Sequence, residues 1–160
     1  MKKKIIVSIL VVISVLFLVT AHVIFQHKKN PVYEPQKNLV APIEIPDKGI
    51  VTYSEAINKQ KPVFVMFYAD WCTYCRRFMP VFGKFAKLYK DKYNFAVVNI
   101  DKAENSQLVL DFHIISLPSL YIIDPKINHK FILNMAATVD ENIIREELDN
   151  YLVVRNNFVK

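Results

Sequence analysis

Hydrophobic and polar positions divide the chain into three stretches: an apolar run, a proline-punctuated segment, and a longer region whose pattern switches between strand and helix periods. Residues 5–25 contain no Asp, Glu, Lys or Arg, and at about 1.5 Å per helical residue they reach roughly 31 Å, near the thickness of a bilayer's hydrocarbon core. Residues 1–25 therefore read as a single-pass membrane anchor whose residues 5–25 contact lipid. A cleaved signal peptide is the alternative, because Val19-Thr20-Ala21 resembles a small-residue cleavage site. Hydrophobicity that continues through Val23, Ile24 and Phe25 favours the anchor. Lys2, Lys3 and Lys4 outnumber Lys28 and Lys29, so the positive-inside bias places the N-terminus in the cytoplasm and the rest of the chain outside it. Residues 26–47 carry Pro31, Pro35, Pro42 and Pro46, the composition of a semi-rigid spacer.

From Lys48 to Val153 the pattern is that of one α/β domain, with residues 154–160 as a tail. Ile50 to Tyr53 reads as a short strand, with Ser54 as N-cap of a helix through Gln60. Pro62 opens a strand to Ala69 that is too uniformly apolar to have a solvated face, so it belongs at the centre of a sheet covered on both sides. After Cys72 a helix runs to about Lys90, its Phe78, Phe82, Phe85 and Tyr89 forming one buried stripe and its Pro80 predicting a kink. A strand over Phe95–Ile100 and a helix over Asn105–Phe112 follow. Residues 120–123 and 130–133 read as a hairpin around a Pro- and Asn-containing turn. The last helix begins at a capping box of Thr138 with Glu141 and buries Ile143, Ile144, Leu148 and Leu152. The predicted order is β-α-β-α-β-α-β-β-α.

The net charge of +6 changes this picture little. Five of the 21 basic residues flank the apolar run, which leaves 16 against 15 acidic residues from residue 30 onward. Nothing in that balance points to nucleic acid.

Candidate chemistry rests on Cys72 and Cys75, the two cysteines of the chain. A strand running into a helix that starts at the first cysteine exposes one sulfur and buries the other. Unsatisfied N–H groups and the helix dipole favour a thiolate at Cys72, and only a thiolate attacks a disulfide. Cys72 is then the nucleophile, and Cys75, one turn on, resolves the mixed disulfide. The same steps run in either direction. No metal, flavin or nucleotide motif is present, so no cofactor is called for and electrons pass as thiols. Other readings of the pair are a structural disulfide, which would close a very small loop, and zinc, for which the domain offers only His113 and His129 in addition. Copper delivery with His113 as an extra ligand is a further one. Trp71 and Tyr74 read as docking surface; Arg76 and Arg77 either favour the thiolate or merely solvate the helix, and Asp70 reads as a surface residue.

Tyr68 to Cys75, Pro80, Asn99-Ile100-Asp101 and Ser116-Leu117-Pro118-Ser119 stand in the order and spacing of a known family. Over residues 49–152 the chain resembles thioredoxin-fold proteins, and among them the membrane-tethered extracytoplasmic thiol-disulfide oxidoreductases. The resemblance implies a central mixed β-sheet flanked by helices and a cis Leu117–Pro118 bond that presents the Leu117 backbone to a substrate strand. It also implies a substrate-binding surface of Trp71, Thr73, Tyr74, Leu117 and Pro118. Client proteins with thiols or disulfides and a membrane or soluble dithiol donor are the implied partners, in a bacterium on the periplasmic side. Reduction or isomerisation of client disulfides is the implied activity; a protein oxidant, or a redox-inert tethered peptide-binding module, is the alternative. The chain departs from the family at Met66 and Val97, where thioredoxins usually carry an Asp and a Lys, which leaves the proton acceptor for Cys75 unassigned. Thr73-Tyr74 also replaces the usual Gly-Pro pair, so the family's potential does not carry over.

Overall fold

The computed structural model describes residues 13–22, 40–46 and 49–158, which fall into two units divided after Leu39. In the first unit, residues 13–22 are helical. No helix among the described residues is long and apolar enough to cross a membrane. The rest of the expected anchor, residues 1–12 and 23–25, lies outside the described residues, as do residues 26–39 of the expected spacer.

The second unit is built on a five-stranded sheet in the order β1-β3-β2-β4-β5. Its strands are β1 (Ile50–Thr52), β2 (Val63–Tyr68), β3 (Asn94–Asn99), β4 (Ser119–Asp124) and β5 (His129–Ile132). Its helices are α1 (Tyr53–Ile57), α2 (Thr73–Leu88), α3 (Ser106–Asp111) and α4 (Glu141–Phe158). β1 and β2 run parallel to β3, and β4 runs antiparallel to both β2 and β5. All six residues of β2 are buried, as expected of a central strand whose every position is apolar or aromatic. Its residues alternate between two cores. Phe64, Met66 and Tyr68 meet Phe78, Met79, Phe82 and Phe85 of α2 and Ile144 and Leu148 of α4. Val63, Val65 and Phe67 meet Ala56, Ala96, Val98 and Phe112 on the other side. Phe64 packs on Phe82 and Phe95 with ring centroids 5.3 and 5.5 Å away, and burying each such side chain is worth about 1.5–3 kcal/mol.

Two local expectations are corrected. Thr52, not Ser54, caps α1: its hydroxyl accepts from the Glu55 N–H at 3.4 Å while its own N–H donates to the Glu55 carboxylate at 2.9 Å, and the helix stops at Ile57. Thr138 does not start α4 but ends a 3-10 turn over Met135–Thr138. Asp140 takes its place, accepting from the Asn142 N–H at 2.9 Å, and α4 continues to Phe158. α2 runs unbroken through Pro80, whose ring forfeits the bond to the Arg76 carbonyl.

The packed unit begins at Val40, ahead of β1. Ile43 is buried in the α2-side core with Ile45 packed beside it, while Pro42 and Glu44 face outward and Pro46, though exposed, rests its ring against Gly83 of α2. This alternation has the strand period, and it lays residues 41–46 down as an extended strap on the domain.

Candidate active site

Antiparallel pairing of β2 with β4 sets the geometry of the site. Phe67, one residue from the end of β2, pairs with Ser119, the first residue of β4. The loop leaving β2 and the loop entering β4 therefore emerge side by side: the first carries Ala69 to Cys72, the second Ser116 to Pro118. The Leu117–Pro118 peptide bond is cis. Leu117 is half-buried and packs against the core that holds both cysteines, and Pro118 is buried.

Cys72 is the N-cap of α2, in an extended conformation with φ −78° and ψ 104°. Its Sγ accepts a hydrogen bond from the Cys75 N–H at 3.1 Å, the position that a Ser or Asp oxygen takes in an ordinary cap. One of the orphan donors of the first turn is thus aimed at the sulfur. The cysteines are joined as a disulfide, with Cys72 6% exposed and Cys75 fully buried. The contrast between the two sulfurs is one of edge against interior: solvent reaches Cys72 alone, and only slightly. Trp71 (55% exposed) and Tyr74 (68%) are large apolar side chains left in solvent around it, and Thr73 is exposed as well.

Beneath Cys75 the surroundings are apolar. Met66 and Phe78 are buried in the same core, and Val97 is packed against it. Tyr68, at the end of β2, has its hydroxyl pKa raised by burial and by the nearby Asp70 charge, which outweigh a hydrogen bond with Asn99.

Asp70 and Arg76 lie elsewhere than their sequence reading. The Asp70 carboxylate accepts from the Ile43 N–H at 2.8 Å and from Asn99 Nδ2 at 3.0 Å. Arg76 donates to the Asp70 carbonyl at 2.6 Å and to the Ala41 carbonyl. Asn99, part of the Asn99-Ile100-Asp101 landmark, also accepts from the Asp101 N–H at 2.9 Å. Arg77 stays exposed. These partners lie up to 35 positions apart in the chain, and no local pattern announces them.

His113 ends α3 in the left-handed region at φ 49° and is exposed. Among the described residues no group of three or more His, Cys, Asp or Glu side chains is placed to hold a metal ion. A cavity of about 760 Å³ lies between β5 and the end of α4, where Phe131, Tyr151, Val154 and Phe158 line it; no residue of the cysteine loop does.

Comparison with known proteins gives a thioredoxin family match over residues 48–148. The chain is 37% identical over 78 residues to the chloroplastic thioredoxin-like protein HCF164 of Arabidopsis thaliana, a match covering 49% of this chain and 30% of that one. It is 40% identical over 70 residues to a thioredoxin of Alicyclobacillus acidocaldarius subsp. acidocaldarius, covering 44% of this chain and 65% of that one. A thiol:disulfide interchange protein, a TxlA homolog of Synechocystis, is 29% identical over 82 residues, covering 51% and 46%. The match thus spans less than two thirds of each of these relatives. Among solved structures, a thioredoxin of Malassezia sympodialis superposes with a TM-score of 0.52 at 24% identity, over 63% of this chain and 88% of that one, which is a likeness of fold.

Proposed function

The chain belongs to the thioredoxin family, and from that premise we propose that it is a thiol-disulfide oxidoreductase working through Cys72 and Cys75. The observation that carries the reading is the Cys75 N–H donated to Cys72 Sγ at 3.1 Å at the start of a 16-residue helix, with the second cysteine buried directly behind the first. A Synechocystis relative that is a thiol:disulfide interchange protein supports it.

In the reduced protein the Cys72 thiolate attacks one sulfur of a client disulfide; a Cys72–client bond forms and the client's other sulfur leaves as a thiolate. Cys75 then loses its proton and attacks Cys72 Sγ. The client's first sulfur leaves, and the Cys72–Cys75 disulfide holds the oxidising equivalents while the client has gained two electrons. Run backwards, the same steps oxidise a dithiol. Client reduction or isomerisation is the proposed direction, from the resemblance to tethered reductases, and a membrane or soluble dithiol donor restores the protein. Trp71, Thr73, Tyr74, Leu117 and the cis Pro118 form the client-docking surface, with the exposed aromatic rings covering apolar client residues beside the cysteine. Residues 5–25 tether the domain to a membrane, outside the cytoplasm, the placement that the lysine asymmetry favours.

A Cys75→Ala variant tests the activity, because it removes the resolving sulfur. It is expected to accumulate client adducts through Cys72 that dithiothreitol releases; absence of such adducts, or equal amounts in a Cys72→Ala control, would refute the reading.

A further inference from the structure

The strap of residues 41–46 runs beside α2 from its first turn to its middle. At one end Arg76 donates to the Ala41 carbonyl. At the other, Pro46 lies against Gly83, where a Cβ would come within 2.4 Å of the proline ring. Between them Ile43 is 8% exposed, its side chain in the core that also contains Cys72 and Cys75. The strap is thus fixed at three points, one of them on Arg76, the residue next to Cys75.

The loop from Ala69 to Cys72 is short, and its ties are few enough to follow individually. Cys72 N–H donates to the Ala69 carbonyl at 3.1 Å, which closes the turn. The Asp70 carboxylate then binds that turn outward, one oxygen to the strap through Ile43 N–H and the other to the end of β3 through Asn99. Arg76, one turn into α2, clamps the Asp70 carbonyl at 2.6 Å. The sulfur of Cys72 sits at the end of this loop, and its bond to the Cys75 N–H weakens steeply once the donor and acceptor fall out of line.

We propose that residues 41–46 brace the reactive cysteine, and that Asp70 is the positioning residue through which the brace acts. The proposal deepens the exchange reading and rests on it. Asp70 touches neither sulfur by any bond described above; it holds the turn so that Cys72 Sγ stays on the first-turn N–H that favours its thiolate. The N-terminal segment ahead of β1 thereby becomes part of the site, and Gly83, two turns along α2 from Arg76, is the place where the strap must be allowed to come close.

The test is the pH dependence of Cys72 alkylation by iodoacetamide in the reduced full-length chain, read by mass spectrometry. Asp70→Ala and Asp70→Asn both remove the charge, but Asn keeps an oxygen for the Ile43 N–H. The other ionisable groups of the surrounding elements, Tyr68, Glu44, Arg76, Arg77 and Asp101, are the same in both variants, so the difference between them reports position alone. The Cys72 pKa is expected about half a unit higher in the Ala variant than in the Asn variant, which is roughly threefold slower alkylation below that pKa. An equal or lower value in the Ala variant overturns the role of Asp70. Gly83→Ala pushes on Pro46 from a point remote from the sulfur, and is expected to raise the Cys72 pKa as well, with Pro46→Ala in the same chain restoring it. An unchanged profile in a folded Gly83→Ala protein overturns the brace, and should that variant not fold, the Asp70 pair decides. Alkylation needs no client, so these outcomes are separate from client reduction by the unaltered chain, which tests the exchange reading itself.

Discussion

The two ends of α2 do different work with the same backbone. Its middle and last turns present Phe78, Met79, Phe82 and Phe85 to the sheet, all of them buried, and are held by packing. Its N-terminal end presents Cys72 at the cap and the exposed Thr73 and Tyr74 beside it, with the Cys75 N–H directed at the Cys72 sulfur. The lesson is that rigidity and reactivity are separable along one helix. The aromatic half holds the helix on the sheet by packing, while the orphan donors of the first turn are set by the local turn and cap; the cap residue then decides what those donors do. A serine there would make a structural cap, whereas a cysteine turns the same geometry into a reactive sulfur.

Breaking the aromatic half has the largest expected effect. Phe82→Ala removes a fully buried ring packed on Phe64 and Phe95 and is expected to cost about 3–5 kcal/mol of stability, measured by denaturant unfolding. At a denaturant-free temperature where the variant is folded, its Cys72 alkylation rate should stay within about twofold of the parent, since the first turn is untouched. Trp71→Ala sharpens the contrast from the other end. Its ring is 55% exposed, so unfolding stability should change by no more than about 0.5 kcal/mol while the KM for a protein disulfide rises. A smaller effect separates the core from the site by pH. The Tyr93 hydroxyl donates to the Leu148 carbonyl at 2.7 Å, and burial pushes its pKa well above that of a free tyrosine. A raised folded-state pKa means that its contribution is fully present below pH 10 and is lost as pH rises beyond it. Tyr93→Phe should therefore lose about 1 kcal/mol at neutral pH and less in strongly alkaline solution, with no change in cysteine reactivity.

Much of this division was legible in the sequence, and its failures have physical causes. Val63 to Ala69 reads as a central strand because no position in it tolerates water, and the Cys72 motif reads as a helix start because it follows that strand directly. The Thr-x-x-Glu pattern is instructive, since it occurs both at Thr52 with Glu55 and at Thr138 with Glu141. At Thr52 it forms the capping box; at Thr138 a 3-10 turn consumes the threonine and Asp140 takes over the cap. A four-residue pattern cannot distinguish these cases, because tertiary packing settles which turn precedes the helix. The strap was illegible for a related reason. Ile43 and Ile45 alternate with Pro42, Glu44 and Pro46, a strand-period signal too short to outweigh four prolines, and what fixes it is a bond to Asp70 27 residues away. Asp70 accordingly looked like surface until its partners were in place.

The central claim is that the start of α2 makes Cys72 the activated nucleophile of the pair, and the pH profile of alkylation in the reduced, folded chain, resolved by cysteine, tests it most directly. The account predicts that Cys72 reacts with an apparent pKa below the ordinary thiol value of about 8.5 while Cys75 stays unreactive until the protein is unfolded. A Cys72 pKa at or above that value, or equal reactivity of Cys75 in the folded protein, would contradict it.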